Sequence, residues 1–208
     1  MRRGALIMFE GCDRTGKSTQ SRLLYNTLLQ ENHPVKHMSF PARESTIGQV
    51  INSYLTNQQE LSDETIHLLF SANRWEYKNE MKKLLEAGTT FIVDRYSYSG
   101  VAYSVAKGLN YDWCISMEKG LLRPDAVFYL NAPIEQLQDR GNFGDERYEK
   151  LQFQRKVLSV YEEMMTKENI NWVNIDAVGT KESIFENIYK QAKTIIKESV
   201  EKPIDVIT

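Results

Sequence analysis

Residues Gly11-Cys-Asp-Arg-Thr-Gly-Lys-Ser18 satisfy the pattern G-x-x-x-x-G-K-[ST] in full. Average residue frequencies would produce it by accident in roughly one chain of this length in a hundred. The flanks narrow the reading further. The apolar run Ala5-Leu-Ile-Met-Phe9 in front has the composition of a buried strand, and behind it Leu23, Leu24, Tyr25, Leu28 and Leu29 recur at helical spacing. Strand, glycine loop and helix in that order form a phosphate loop. Backbone N–H groups of such a loop, those of Thr15 and Gly16 among them, wrap donor phosphates, and the helix N-terminus adds partial positive charge. Lys17 reaches the phosphates at the reacting end, the Ser18 hydroxyl suits Mg²⁺, and Thr19 either faces the nucleotide or caps the helix. The chain handles a nucleoside triphosphate.

A phosphate loop opens a βαβ unit, and the remaining chain continues that alternation. Strands are expected over Ala5–Glu10, Val35–Phe40, Thr89–Asp94, Ala126–Leu130 and Trp172–Ile175. Helices are expected around Lys17–Glu31, Ile47–Leu55, Asp63–Glu86, Ser97–Ala106, Arg147–Lys167 and Lys181–Ser199. This predicts an α/β fold of three layers, a five-stranded parallel sheet flanked by helices, in one domain spanning residues 1–208. Gly141-Asn-Phe-Gly144 is either a plain turn or part of a lid over the nucleotide. A net charge of −2 argues against broad capture of nucleic acid or anionic membrane, and no apolar run is long enough to span a bilayer. Two cysteines suit a reducing compartment, with Cys12 a space-filler in the loop. The expectation is a soluble, cytoplasmic protein, compatible with a nuclear or mitochondrial pool.

Several residues carry chemistry beyond the loop. Arg14 is placed to bridge donor and acceptor phosphates as charge spreads over the transferring group, or else it is an exposed arginine on a flexible loop. Thr89-Thr-Phe-Ile-Val-Asp-Arg95 is an apolar strand ending in an acid. Strand C-termini line the ligand crevice of a parallel sheet, so Asp94 is a candidate for the Mg²⁺ shell and Arg95 for a phosphate. A second substrate is suggested by Phe40-Pro-Ala-Arg43 and by Phe70 and Arg74, which share one helix face. An aromatic plate with a guanidinium one turn away can stack on a base and bond its edge; equally, Phe70 can be core and Arg74 a surface group. Asp176-Ala-Val-Gly179 mimics a GTPase switch but lies too late in the chain, with no guanine-reading Asn-Lys-x-Asp. The three histidines, His33, His37 and His67, read as surface or satisfied structural residues.

Together these blocks resemble one family. The segments around Gly11–Thr19, Phe40-Pro-Ala-Arg-Glu-Ser-Thr46, Leu68-Leu-Phe-Ser-Ala-Asn-Arg-Trp75 and Val93-Asp-Arg-Tyr-Ser-Tyr-Ser-Gly-Val-Ala-Tyr103 are similar to thymidylate kinases, especially the eukaryotic form. The resemblance extends through Arg123-Pro-Asp125, Arg140–Tyr148 and Glu201-Lys-Pro203. It implies phosphoryl transfer from MgATP to dTMP in a homodimer. It gives Asp13 the acceptor's 3′-hydroxyl, makes Arg14 the catalytic arginine, and assigns ATP and Mg²⁺ to Lys17, Ser18 and Thr19. Arg43 and Arg95 would bind the dTMP phosphate while Asp94 organises metal and acceptor; Phe70 would stack on thymine and Arg74 bond its edge. Gly100 and Tyr103 would lie under the deoxyribose, Tyr103 disfavouring a 2′-hydroxyl. A lid would run from about Asn131 to Gln154, with Arg140 against adenine and Tyr148 and Gln154 near dTMP. Tyr98 and Tyr103 stand where phenylalanine is common in the family.

Overall fold

The computed structural model describes residues 2–137 and 147–208. Within them the chain runs β1 (Leu6–Glu10), α1 (Lys17–Gln30), β2 (Val35–Ser39), α2 (Thr46–Leu55), α3 (Asp63–Glu86), β3 (Thr90–Asp94), α4 (Ser97–Ala106), α5 (Tyr111–Ser116), β4 (Ala126–Asn131), α6 (Ile134–Leu137), α7 (Leu151–Lys167), β5 (Trp172–Asp176) and α8 (Lys181–Ser199). The five strands form one parallel sheet in the order β2-β3-β1-β4-β5. α1 packs on β2, β3 and α8, while α4 packs on α3 and α7, so a helical layer covers each face. Burial on both faces explains the uniformly apolar Leu6-Ile-Met-Phe9 and Phe91-Ile-Val93, all at most 1% exposed.

Chain direction places the site. From β1 the chain first builds β2 and β3 on one side, then crosses to β4 and β5 on the other. A crevice therefore opens beyond the carboxyl end of β1, where strand order reverses. Register aligns the strand ends there, since Asp94 pairs with both Phe9 and Ser39. Gly11, Phe40 and Arg95, each next in sequence to such an end, converge on it.

All five expected strands are present, shifted by at most one residue at an end. Two departures are informative. The helix expected from Arg147 begins only at Leu151. Arg147 is claimed by tertiary partners: its guanidinium lies 4.1 Å from the Tyr54 ring, donates to Tyr54 O at 2.9 Å and pairs with Glu60 at 2.7 Å. Its N–H donates to Leu55 O, and Tyr148 O accepts from Gln154 Nε2, which holds residues 147–150 out of the helix. The other departure is α5, only six residues long and capped by the Asn110 side chain, too short for a periodicity signal. Gly141–Gly144 and Arg140 lie outside the described residues. Among those described, no helix is long and apolar enough to cross a membrane.

His67 is a satisfied structural residue: fully buried, its Nδ1 shares a hydrogen bond with Ser104 Oγ at 2.8 Å and its Nε2 donates to Cys114 O at 3.1 Å. Burial lowers the imidazole's pKa. The unfolded chain takes up the proton below about pH 6.5 while the folded chain resists it. Stability is therefore complete above that pH and declines as pH falls through about 6.5 toward the depressed folded value. The unfolding free energy from urea titrations should drop between pH 7.5 and 5.5, by at most about 1.4 kcal/mol per pH unit for this one proton. The slope should be shallower in His67→Gln, which keeps a donor and an acceptor but cannot titrate.

Candidate active site

β1 ends in a turn that only glycine accommodates. Gly11 has φ +136°, and a Cβ there would sit 2.5 Å from Leu130 O. The loop then folds on itself: Thr15 Oγ1 donates to Cys12 O at 3.0 Å and Lys17 Nζ to the same oxygen at 2.5 Å. Burial pushes the Cys12 thiol up to about 11, so it remains protonated and fills space. Burial, and then the Arg95 charge, pulls Lys17 down to about 8, against the opposing pull of Asp13 and Asp94. A lysine so desolvated gains strongly from an anion brought alongside. Gly16 is the helix N-cap in a left-handed conformation, with no side-chain cap hydrogen bond among the described residues. Thr19 therefore does not cap the helix; it is exposed on the loop-side cavity.

Ser18 Oγ donates to Asp94 Oδ2 at 2.5 Å, bringing the loop hydroxyl and the β3 carboxylate together. The second carboxylate oxygen, Asp94 Oδ1, is buried with no hydrogen-bond partner among the described residues. Two hard oxygens in contact, one carboxylate oxygen unsatisfied, suit an Mg²⁺ ion that completes its shell with phosphates and water. Among the described residues no cluster of three or more His, Cys, Asp or Glu forms an all-protein metal cage, and Mg²⁺ at phosphates needs none.

A second layer of contacts fixes the loop from the far side. Gln154 on α7 accepts from the Asp13 N–H at 2.8 Å and donates Nε2 to Asp13 Oδ2 at 2.7 Å. Asp13 also forms an ion pair with Arg95. Arg95 stands at φ +65°, with its guanidinium 5.3 Å from the Tyr103 ring centre. Arg14, at φ +64°, donates Nε to Glu149 at 2.8 Å.

Two cavities meet at this loop. The narrower, about 380 Å³, is bounded by Phe40, Arg43, Phe70, Arg74, Gly100, Tyr103 and Tyr148. The wider and more open, about 820 Å³, is bounded by Arg14 to Gln20, Glu149 and the Ala177–Ile184 segment. Asp13, Ser18 and Arg95 line both. Every described residue expected to bind an acceptor thus borders the narrow cavity except Gln154, which is buried behind Asp13. Within the cavity wall Phe40 packs edge-on to Tyr77 and Tyr96, Tyr148 stacks on Phe153 at 5.2 Å, and Arg43 donates to Asn52 at 2.7 Å. Gly100 has no room for a side chain, because a Cβ would lie 2.5 Å from Arg74 Nη2.

Comparison with known proteins supplies the family. The family model described as thymidylate kinase matches residues 9–188. The chain belongs to the thymidylate kinase family. It is 48% identical to the thymidylate kinase of Plasmodium falciparum, over 96% of this chain and 95% of that one. Identity to the human thymidylate kinase is 42%, over 98% of this chain and 96% of that one. The solved thymidylate kinase of Candida albicans superimposes with a TM-score of 0.88 at 38% identity, covering all of both chains. That likeness makes the fold a phosphate-loop kinase fold.

Sequence reasoning missed several groups that hold the family's site in shape. Glu149 and Glu118 gave no signal, because their partners Arg14 and Arg74 lie far away in sequence. The Asp176-Ala-Val-Gly179 segment, read only as a GTPase mimic, contributes Ala177 and Gly179 to the wide cavity. Glu10, at the end of β1, is fully buried; it accepts from the Tyr96 and Ser99 N–H groups at 2.9 and 3.2 Å and from the Ser99 and Tyr161 hydroxyls. Its carboxylate joins β1, α4 and α7. Glu10→Ala should leave those donors unsatisfied and lower stability by about 3 kcal/mol or more. Thermal unfolding should report this as a Tm lower by roughly 6–12 °C.

Proposed function

We propose that this chain transfers the γ-phosphoryl group of ATP to dTMP, giving dTDP and ADP. The observation that carries the proposal is the meeting of two cavities at Asp13, Ser18 and Arg95, one beside the phosphate loop and one lined by aromatic rings and arginines. ATP would lie in the wide cavity, its phosphates against Thr15, Gly16, Lys17, Ser18 and Thr19, and its base toward the Ala177–Ile184 segment, with Arg140 of the lid against adenine. The acceptor would fill the narrow cavity, thymine against Phe70 and Arg74, deoxyribose over Gly100 and Tyr103 with Asp13 at its 3′-hydroxyl, and phosphate at Arg43 and Arg95. Phe40, Tyr148 and Gln154 complete that cavity. Ser18 and Asp94 would hold Mg²⁺, which neutralises charge on the donor phosphates when bound.

An acceptor phosphate oxygen is already anionic near neutral pH, so it attacks without a strong general base. The protein's work is then positioning and charge neutralisation by Lys17, Arg14 and Arg95. A kinase acting on a nucleoside would instead need a carboxylate beside a neutral 5′-hydroxyl. Arginines at Arg43 and Arg95 favour an acceptor that already carries phosphate. The family resemblance further supports a single kinase domain over 1–208 with a lid at about 131–154, a homodimer, and a cytoplasmic setting.

Steady-state ADP formation from MgATP with dTMP, dUMP, dCMP, dGMP and thymidine tests the reading directly. Preference for dTMP is expected; turnover of thymidine but not dTMP would reject the acceptor assignment. Arg14→Ala should lower kcat by about 10³-fold with smaller changes in either KM, and near-normal turnover would remove Arg14 from the transition state.

A further inference from the structure

Arg74 does not face the narrow cavity as a whole guanidinium. Its Nε donates to Glu118 Oε2 at 2.8 Å and its Nη2 forms an ion pair with Glu118 Oε1, in a fork with both side chains buried. Among the described residues Nη1 is the one nitrogen without a protein partner. Gly100 lies against the guanidinium, where an added Cβ would come within 2.5 Å of Nη2 and 3.1 Å of Cζ and Nη1. Glu118 is itself fixed. Its turn is tied to α3 by Met117 O, which accepts from Ser71 Oγ at 2.9 Å and Trp75 Nε1 at 3.1 Å. The C-terminal tail holds the other end, with Gly120 N–H donating to Ile207 O and Arg123 N–H to Asp205 O.

We infer that Glu118 is a specificity-determining positioning residue: by occupying two of Arg74's nitrogens, it leaves a single fixed donor edge at the base. A donor edge suits the O4 acceptor of thymine and opposes the N4 amino donor that cytosine carries there. An arginine free to swing would accept either by sampling other positions. Fixing it costs the site no further ordering on binding, so the geometry also favours affinity. This inference rests on the acceptor reading above, and it concerns base choice, not the reaction.

Calorimetric titration of the full-length protein with dTMP, dCMP and ATP separately tests it. In Glu118→Gln the amide offers Arg74 one acceptor and one opposing donor. The dTMP Kd should rise about tenfold or more and the dTMP-to-dCMP preference should shrink, with the ATP Kd within about twofold. Glu118→Asp keeps the charge but withdraws it by one methylene, and should move both dTMP quantities in the same direction by less. Should Glu118→Gln fail to fold, Glu118→Asp decides. Wild-type dTMP affinity and base preference in the folded variants would overturn the inference, as would an equal loss of ATP affinity, the sign of general damage. Wild type that binds dTMP without turnover would sink the kinase reading alone; wild type that binds no dTMP would sink both.

Discussion

A buried carboxylate at the end of a central strand organises this molecule. Glu10 closes β1 and accepts two backbone N–H groups from the start of α4 and two hydroxyls, one of them from α7. A charge held in so dry a place is tolerable only when its oxygens are fully engaged. Engagement fixes the relative positions of three elements. From β1 comes the phosphate loop, at the start of α4 stand Arg95 and Ser99, and α7 carries Gln154. The crevice lies beside these three elements, with Phe40, Arg43, Phe70, Arg74 and the Ala177–Ile184 segment completing its walls.

The loop itself is braced from two directions with opposite consequences. On one side Ser18 meets Asp94, whose second carboxylate oxygen has no hydrogen-bond partner among the described residues. On the other, Asp13 is held by Arg95 and Gln154, and Arg14 by Glu149. Those ion pairs give the arginines a preset position before any phosphate arrives. In the proposed transfer, such preset charges would act on the phosphoryl group without reorganising at the moment of reaction. Burial adds to the effect, since Lys17 is costly to keep charged alone and gains most from an anionic partner.

Arginine serves three physical ends in this chain. Arg3 uses its fork to tie the first residues to Asp125 at 2.5 Å and to the C-terminal Lys202 and Pro203 carbonyls. Arg147 clamps the segment before α7 onto Tyr54 and Glu60. Arg74 is held in a buried fork with Glu118. Planarity and permanent charge suit all three tasks, and lysine would serve none of them equally.

The sequence by itself determined the strand–loop–helix unit, the five strands and the strand-end residues Asp94 and Arg95, because hydrophobic periodicity and glycine spacing are local properties of a chain. Family likeness added Gly100 and Tyr103, and gave roles to Phe70 and Arg74, which composition left between core and site. Only the tertiary structure decided how those residues are held. Glu118 and Arg74 are 44 positions apart, Arg14 and Glu149 135 apart, and Asp13 and Gln154 141 apart. Nothing local marks such a carboxylate as a partner and not a surface charge. The delayed start of α7 has the same origin: Arg147 has helical propensity, but its bonds to α2 and Glu60 outweigh one turn of helix. Periodicity encodes which face a residue takes, whereas the partner it meets there depends on the closing of the whole sheet.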